Sequence, residues 1–345
     1  MRWAVAVVAA CALSIAAADS SADEAAPQAG SSPPLRLRLA TDKTYLYRLR
    51  ESIVVRQSVE VGALGQLPIE QRSEIVWDAG VTLQRVDPSG DVVVSLMPTR
   101  VRGSLTQPAG KAEPFDSDDP KAPVSSPLLG RGILVTLSPA GRVRSATGPE
   151  TKLKNVAAVE GGLRTRLLQF DATIAKPFAQ QFFHELPDAA PRAALTWDQT
   201  RSLAPGWVGS ASVVFGHVFG DAEERSTVKT IATDTVGADV RARGNRDARR
   251  SDKPADLGSV TPEDAADLGE QLEEWLVLGE VRVRRDTGLV ESRTASTTLS
   301  THANALRLPK EKLPAIPGLP PGDVVAPASD RTYEITLQLD LVDVR

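Results

Sequence analysis

The residues that could carry chemistry are few and scattered along the 345-residue chain. Asp286-Thr287-Gly288 spells the triplet of aspartic proteases. That chemistry needs two carboxylates about 3 Å apart sharing one proton, so a second triplet has to supply the partner. The nearest companion, Asp234-Thr235-Val236-Gly237, lacks the glycine in place, and Arg284 and Arg285 precede Asp286 where an apolar approach is required. A hairpin turn accounts for these residues. Asp116, Asp118 and Asp119 could offer oxygens to Ca²⁺, but their spacing lacks the ligand ladder and the glycine of an EF-hand, so a solvated acidic loop is expected. The three histidines, His184, His217 and His302, lie far apart, and none belongs to a His-Glu-x-x-His arrangement. No nucleophile elbow, Walker loop or dinucleotide fingerprint occurs. Arg241, Arg243, Arg246, Arg249 and Arg250 form a local basic run broken by Asp247, read as an exposed stretch. No catalytic, cofactor-binding or metal-ligating residue is therefore assigned, and no cofactor is implied. A carboxylate-dependent hydrolase is the alternative, and it requires two of Asp116, Asp118, Asp119, Asp286 and Glu185 to converge in one cleft.

The N-terminus carries an address. Met1-Arg2-Trp3 is a short positive region, Ala4 to Ala17 is apolar, and Ala16-Ala17-Ala18 fits a small-residue cleavage site before Asp19. This is the pattern of a secretory signal peptide over 1–18, too short and too alanine-rich to serve as a membrane span. Export to the periplasm or beyond is the expectation. Val8-Ala9-Ala10-Cys11 resembles a lipoprotein box, but only ten residues precede Cys11 and the apolar run continues past it, so acylation is the less favoured reading. Cys11 is the only cysteine, so a chain cleaved after Ala18 has no thiol for a disulfide, a zinc-thiolate cluster or a cysteine nucleophile. No later run is apolar enough to span a membrane as a helix. The net charge of −4 offers no clustered basic face for nucleic acid.

The elements that must position these residues read as strands. Residues 19–40 look like a tether rich in Ala, Ser and Pro up to Pro34, where the alternating Leu35-Arg36-Leu37-Arg38-Leu39 opens the ordered region. From Thr44 the chain alternates over Tyr45–Val59 and Ile69–Val86, turns at Asp87-Pro88-Ser89-Gly90, and returns through Val92–Met97 towards Val101. Proline presets φ in such a turn and glycine relieves it, so these segments read as an antiparallel meander. Gln107–Pro127 is a proline-rich loop. Two hairpins stand out. Gly132–Ser145 turns at Ser138-Pro139-Ala140-Gly141, and Gly279–Thr301 turns at Arg285-Asp286-Thr287-Gly288. Their likeness suggests an internal repeat.

Between them, 149–190 changes character. Leu153, Val156, Leu163, Leu167, Phe170, Phe178 and Phe182 recur at helical spacing, with breaks expected at Gly161-Gly162 and Pro177. A short helix is also expected over 265–272, capped at Thr261. Residues 243–262 read as a mobile loop, and Tyr333–Val342 as a closing strand of clean alternation. The expected fold is mainly β (α+β): two related, long-stranded, curved antiparallel β units at 41–148 and 191–345, with the helical crossover packed on the sheet.

Phe115-Asp116-Ser117, Ser138-Pro139-Ala140-Gly141-Arg142-Val143, Leu186-Pro187 with Trp197, and Asp286-Thr287-Gly288-Leu289 together resemble an exported bacterial family of domains of unknown function. The likeness covers about residues 40 to 345. Ala193-Ala194-Leu195-Thr196 departs from the Gly-Asp pattern expected before the tryptophan, and the family brings no catalytic residues with it. The two-half plan is also similar to the half-barrel sheets of periplasmic lipid-carrier lipoproteins, whose helices cover the concave face. The combined expectation is an exported, non-enzymatic envelope protein binding an apolar or polymeric ligand, with a lipid or an envelope polymer as partner.

Overall fold

The computed structural model describes residues 33–60, 66–106, 110–149, 166–170, 172–203, 206–209, 213–251, 255–256, 270–308 and 324–345. Residues 1–18, Cys11 and most of the expected tether lie outside these, as do 150–165 and 257–269. Long alternating runs make long strands because inward apolar residues at every second position share one buried face. In the first wing these are β1 (Thr44–Glu60), β2 (Gln66–Val86) and β3 (Val92–Thr106). Shorter strands follow: β4 (Ala112–Asp116), β5 (Val124–Ser125), β6 (Ile133–Leu137), β7 (Val143–Thr147) and β8 (Arg166–Gln169). The helix α1 (Ala172–Phe182) precedes β9 (Thr196–Ser202), β10 (Gly206–Gly209) and β11 (Val213–His217). The second wing holds β12 (Asp221–Ile231), β13 (Thr235–Asn245), β14 (Ala255–Asp256), β15 (Gln271–Arg284), β16 (Val290–Ala303), β17 (Leu306–Leu308), β18 (Val324–Ala326) and β19 (Ser329–Val344).

The expected β halves are the two wings of one twelve-stranded sheet, in the order β7-β6-β3-β2-β1-β19-β16-β15-β13-β12-β9, with β4 also on β3. The closing strand β19 joins them. It pairs antiparallel with β1 on one side, Leu49 opposite Leu339, and with β16 on the other, Arg293 opposite Leu339. The meander of β1, β2 and β3 is antiparallel as expected. Two smaller sheets, β10-β11-β8-β5 and β14-β17-β18, complete the strands.

The helix α1 touches β6 and β7 at one edge of the large sheet, β9 at the other and β1 in its middle, so the sheet curls around it. That explains its burial. Ile174, Ala175, Pro177, Phe178, Ala179, Gln180, Gln181 and Phe182 are all buried, which is nearly the whole circumference. Within the expected crossover, two details change. Residues 166–169 are a strand, because buried Arg166 and Leu168 alternate with half-buried Leu167 and Gln169 and β8 pairs in parallel with β5 and β11. Pro177 lies inside the helix and does not break it, since packing on all sides outweighs the one backbone bond that proline forfeits. The expected helix over 265–272 falls largely on residues outside those described, and Gln271 and Leu272 already belong to β15.

The interior is filled by aromatics. Phe178 packs 5.4 Å from Trp77, 5.4 Å from Phe182, 6.0 Å from Phe170 and 6.3 Å from Trp207, and Tyr47 stands 6.0 Å from Phe182. Edge-on and tilted rings at these separations add to the burial of their own area. Gln107–Pro127, expected as a loop, contains β4 and β5 because Phe115 and Val124 are drawn into this core.

Candidate functional site

The large sheet has two faces, and each carries a candidate site. On the face turned away from α1, the outward residues of β2, β1, β19, β16 and β15 enclose an open trough of about 560 Å³. Its walls are Glu74 and Val76, Arg50 and Ser52, Thr336 and Gln338, Thr294 and Ser296, and Leu278. A second open trough of about 800 Å³ is lined by Arg243, Asn245, Glu274, Trp275, Leu276, Thr298 and Ser300. Leu276 and Leu278 are adjacent outward positions on β15, and Ser296 and Thr298 are adjacent outward positions on β16. The troughs therefore succeed one another along this hairpin. Their lining is rich in hydroxyls because β16 runs Thr294-Ala295-Ser296-Thr297-Thr298-Leu299-Ser300, with Thr and Ser at each outward step. Leu276 and Leu278 are large apolar side chains left exposed beside them, 41% and 47%.

On the inner face the strands carry a buried polar cluster against the C-terminal end of α1. Arg201 on β9 donates from Nη1 to Gln180 O and from Nη2 to Phe183 O at 3.0 Å. A guanidinium here satisfies carbonyls that the last helical turn leaves open and faces the negative end of the helix dipole. Its Nε lies 3.0 Å from Glu224 on β12. Glu224 accepts from Gln199 Nε2 at 3.0 Å and, at 3.4 Å, from Nη2 of Arg293 on β16. His184 closes the group, facing Gln199 and Arg201 through Nδ1 and Ser226 through Nε2. Burial, reinforced by Arg201 and Arg293, drives its pKa well below the usual histidine range, so it is neutral. Between Gln181, Arg201, Ser202, Arg293, Thr297 and Ile335 lies a cavity of only about 10 Å³. This cavity is far below ligand size, and aromatic side chains pack between α1 and the sheet.

Four of the five acids singled out in the sequence, Asp116, Asp118, Asp286 and Glu185, are each held by an arginine. Arg100 binds Asp116 through two bonds of 3.0 and 2.6 Å and lies 3.1 Å from Asp118, occupying the place a cation would take. Asp119 accepts a turn bond from Lys121 N. Asp286 pairs with Arg284 at 2.7 Å, and Glu185 with Arg142 at 2.7 Å. Arg100 and Arg284 hold Asp116 and Asp286 below the usual carboxylate range, and the Arg142 guanidinium is raised by its bonds to Glu185.

His217 and His302, distant in sequence, come to the same end of the sheet. There Glu270 accepts from Tyr333 Oη at 2.7 Å, from Arg331 Nη1 at 3.1 Å and from Thr301 Oγ1, with His217 Nε2 at 3.8 Å. His302 bonds Asp330 at 2.7 Å through Nδ1 and Asn304 at 3.2 Å through Nε2. The stretch expected as a mobile loop over 243–262 is in part anchored here. Arg243–Asn245 end β13, Arg250 pairs with Glu273 at 2.6 Å, and Asn304 receives Ser251 N at 2.9 Å. Arg246 donates to Asp221 O at 3.2 Å and Arg250 has Glu273, partners that the sequence alone does not reveal.

The sequence reading missed Arg201, Glu224 and Arg293. A signal was present in β12, where Ala222, Glu224, Ser226 and Val228 share one strand face. An acid in the apolar phase of an alternating strand marks a buried charge.

No family model matches the chain, so the likeness to an exported family gains nothing from that quarter. No curated protein matches either. Among solved structures, the chain is similar to lipovitellin, in a study of its lipid–protein interactions, at 12% identity and a TM-score of 0.40. The match covers 89% of this chain and 26% of that one, so the chain spans about a quarter of the lipovitellin chain. A second likeness is to OccK9 (OpdG) of Pseudomonas aeruginosa, at 10% identity and a TM-score of 0.16, over 86% of this chain and 98% of that one. At these scores the fold stands on its own geometry.

Proposed function

We propose that this is an exported, non-enzymatic binding protein that takes an elongated, hydroxyl-bearing envelope polymer along the outer face of its large sheet. One observation carries the reading. The interior that would house a compact apolar ligand is packed with Trp77, Phe178, Trp207 and Phe182, whereas two open troughs of about 560 and 800 Å³ follow one another along β15 and β16. Ligand sites are concave surfaces with convergent polar groups, and here Ser, Thr, Gln and Asn side chains alternate with exposed leucines. Hydroxyls and amides can bond sugar hydroxyls, and the outward Leu276 and Leu278 can cover their apolar faces. The filled core argues against internal lipid carriage. The non-enzymatic part rests on the arginine pairing of Asp116, Asp286 and Glu185. The exported part rests on the leader pattern of 1–18.

The test is co-sedimentation of the purified protein with insoluble cell-wall polysaccharide, with phospholipid vesicles alongside. Binding to the polysaccharide that falls at least tenfold in Leu278→Asp and in Ser296→Asp, at unchanged melting temperature, supports the reading. Binding to vesicles alone, or polysaccharide binding indifferent to both substitutions, rejects it.

A further inference from the structure

The buried cluster at the end of α1 does not balance its charge. Arg201 and Arg293 are 5% and 3% exposed, and the one carboxylate between them is Glu224. The remaining groups facing the cavity, Gln181, Ser202 and Thr297, are neutral, as is His184 behind it. Glu185 belongs to the exposed Arg142, and Asp221 accepts from Ser202 Oγ at 2.8 Å. Arg201 is partly compensated by the helix carbonyls it caps. Arg293 is not. Its single bond is the long one to Glu224, and both its Nε and its Nη1 are buried without any partner. Arg201 Nε, although close to Glu224, is also out of hydrogen-bonding geometry.

An uncompensated buried cation costs several kcal/mol, and a guanidinium does not escape by losing its proton under ordinary conditions. Burial and the neighbouring Arg201 do pull Arg293 down to about 9, which is the same imbalance seen from the side of titration. The cavity beside these free N–H groups, about 10 Å³, meets the space needed for one small species and no more.

We propose that this cavity is a structural site for a single small monovalent inorganic anion of the halide class, held by Arg293 through Nη1 in the field of Arg201. One negative charge offsets the excess cation and satisfies a donor that is otherwise orphaned. A water molecule could fill the space, but it brings no charge. A carboxylate ligand is too large for it. The site lies on the inner face and does not depend on what the outer troughs bind.

The experiment is thermal unfolding of the full chain prepared in gluconate buffer, titrated with sodium chloride at constant ionic strength. A saturable rise in melting temperature of several degrees, absent in Arg293→Met, is expected. Crystals soaked in sodium bromide provide a readout that does not need the variant to fold, and an anomalous peak in hydrogen-bonding reach of Arg293 Nη1 is expected. A melting temperature equal in chloride and gluconate, or a bromide-soaked crystal with no anomalous peak at the cluster, overturns the proposal.

Discussion

The backbone N–H of Arg38 donates to the carbonyl of Thr287 at 2.8 Å, one residue after Leu37 N donates to Pro139 O at 3.0 Å. The two hairpin turns that look alike in sequence are therefore held by one short strap. Leu35 and Leu37 are buried beneath it, so the alternating run 35–39 belongs to the fold. Leu186 N reaches Ala140 O at 2.7 Å from the segment after α1, which binds the same corner from the other side. The alternation of Leu35, Leu37 and Leu39 was visible as a pattern, but its destination required knowing that both turns would meet.

This corner makes a backbone prediction. Gly288 has φ +70°, and a Cβ placed on it would sit 2.5 Å from Arg36 O, a backbone atom that cannot swing away. Gly288→Ala combines left-handed strain with that clash, and should cost about 1–3 kcal/mol. The check is urea denaturation of the full chain. A midpoint unchanged from the parent protein would show that the strap is not a tight constraint.

Glu51 makes a pH prediction. Its carboxyl is buried, accepts Trp207 Nε1 at 2.7 Å, and is pushed by burial from the ordinary 4.5 up to about 8. The native state therefore keeps a proton that the unfolded chain releases from about 4.5 upward. Stability contributed by this group falls as pH rises from about 4.5 to about 8 and is level above that window. Glu51→Gln should flatten the fall and raise the melting temperature at pH 8. An equally steep decline in the variant between pH 5 and pH 8 would assign the effect elsewhere.

The aromatic centre makes a packing prediction. Phe178 is fully buried between Trp77, Trp207, Phe170 and Phe182. Phe178→Ala should destabilise by about 3–5 kcal/mol, because rings on all sides cannot collapse into the space. Phe178→Leu should cost less. Equilibrium denaturation of both variants orders them.

The inner cluster makes a charge prediction. Removing the carboxylate in Glu224→Ala leaves Arg201 and Arg293 buried with no carboxylate partner, a loss of about 3–5 kcal/mol. Replacing Glu224 and Arg293 together by Leu and Met should recover much of it, since the pair then vanishes with its desolvation cost. A double variant as unstable as the single one would contradict this account.

Much of the architecture was legible because alternation reports burial directly. Tyr333, Ile335, Leu337 and Leu339 point inward and Glu334, Thr336 and Gln338 outward, as the closing strand's pattern requires. The turns were legible from glycine, since Gly90, Gly141 and Gly288 all adopt the positive φ that their positions demand. Asp286 lies in the turn between β15 and β16 and pairs with Arg284.

What the sequence determined by itself is thus the local and periodic part: long strands, their faces, their turns, and one amphipathic segment between two β wings. Only the tertiary structure decided that β1 and β19 zip the wings into one sheet, that this sheet curls round α1 and fills its own interior, and that Arg201, Glu224 and Arg293 meet across 92 residues. The reason is physical. Period-two alternation fixes which way a side chain points but not which strand lies beside it, and charge balance inside a core depends on neighbours that the chain brings together only once it has folded.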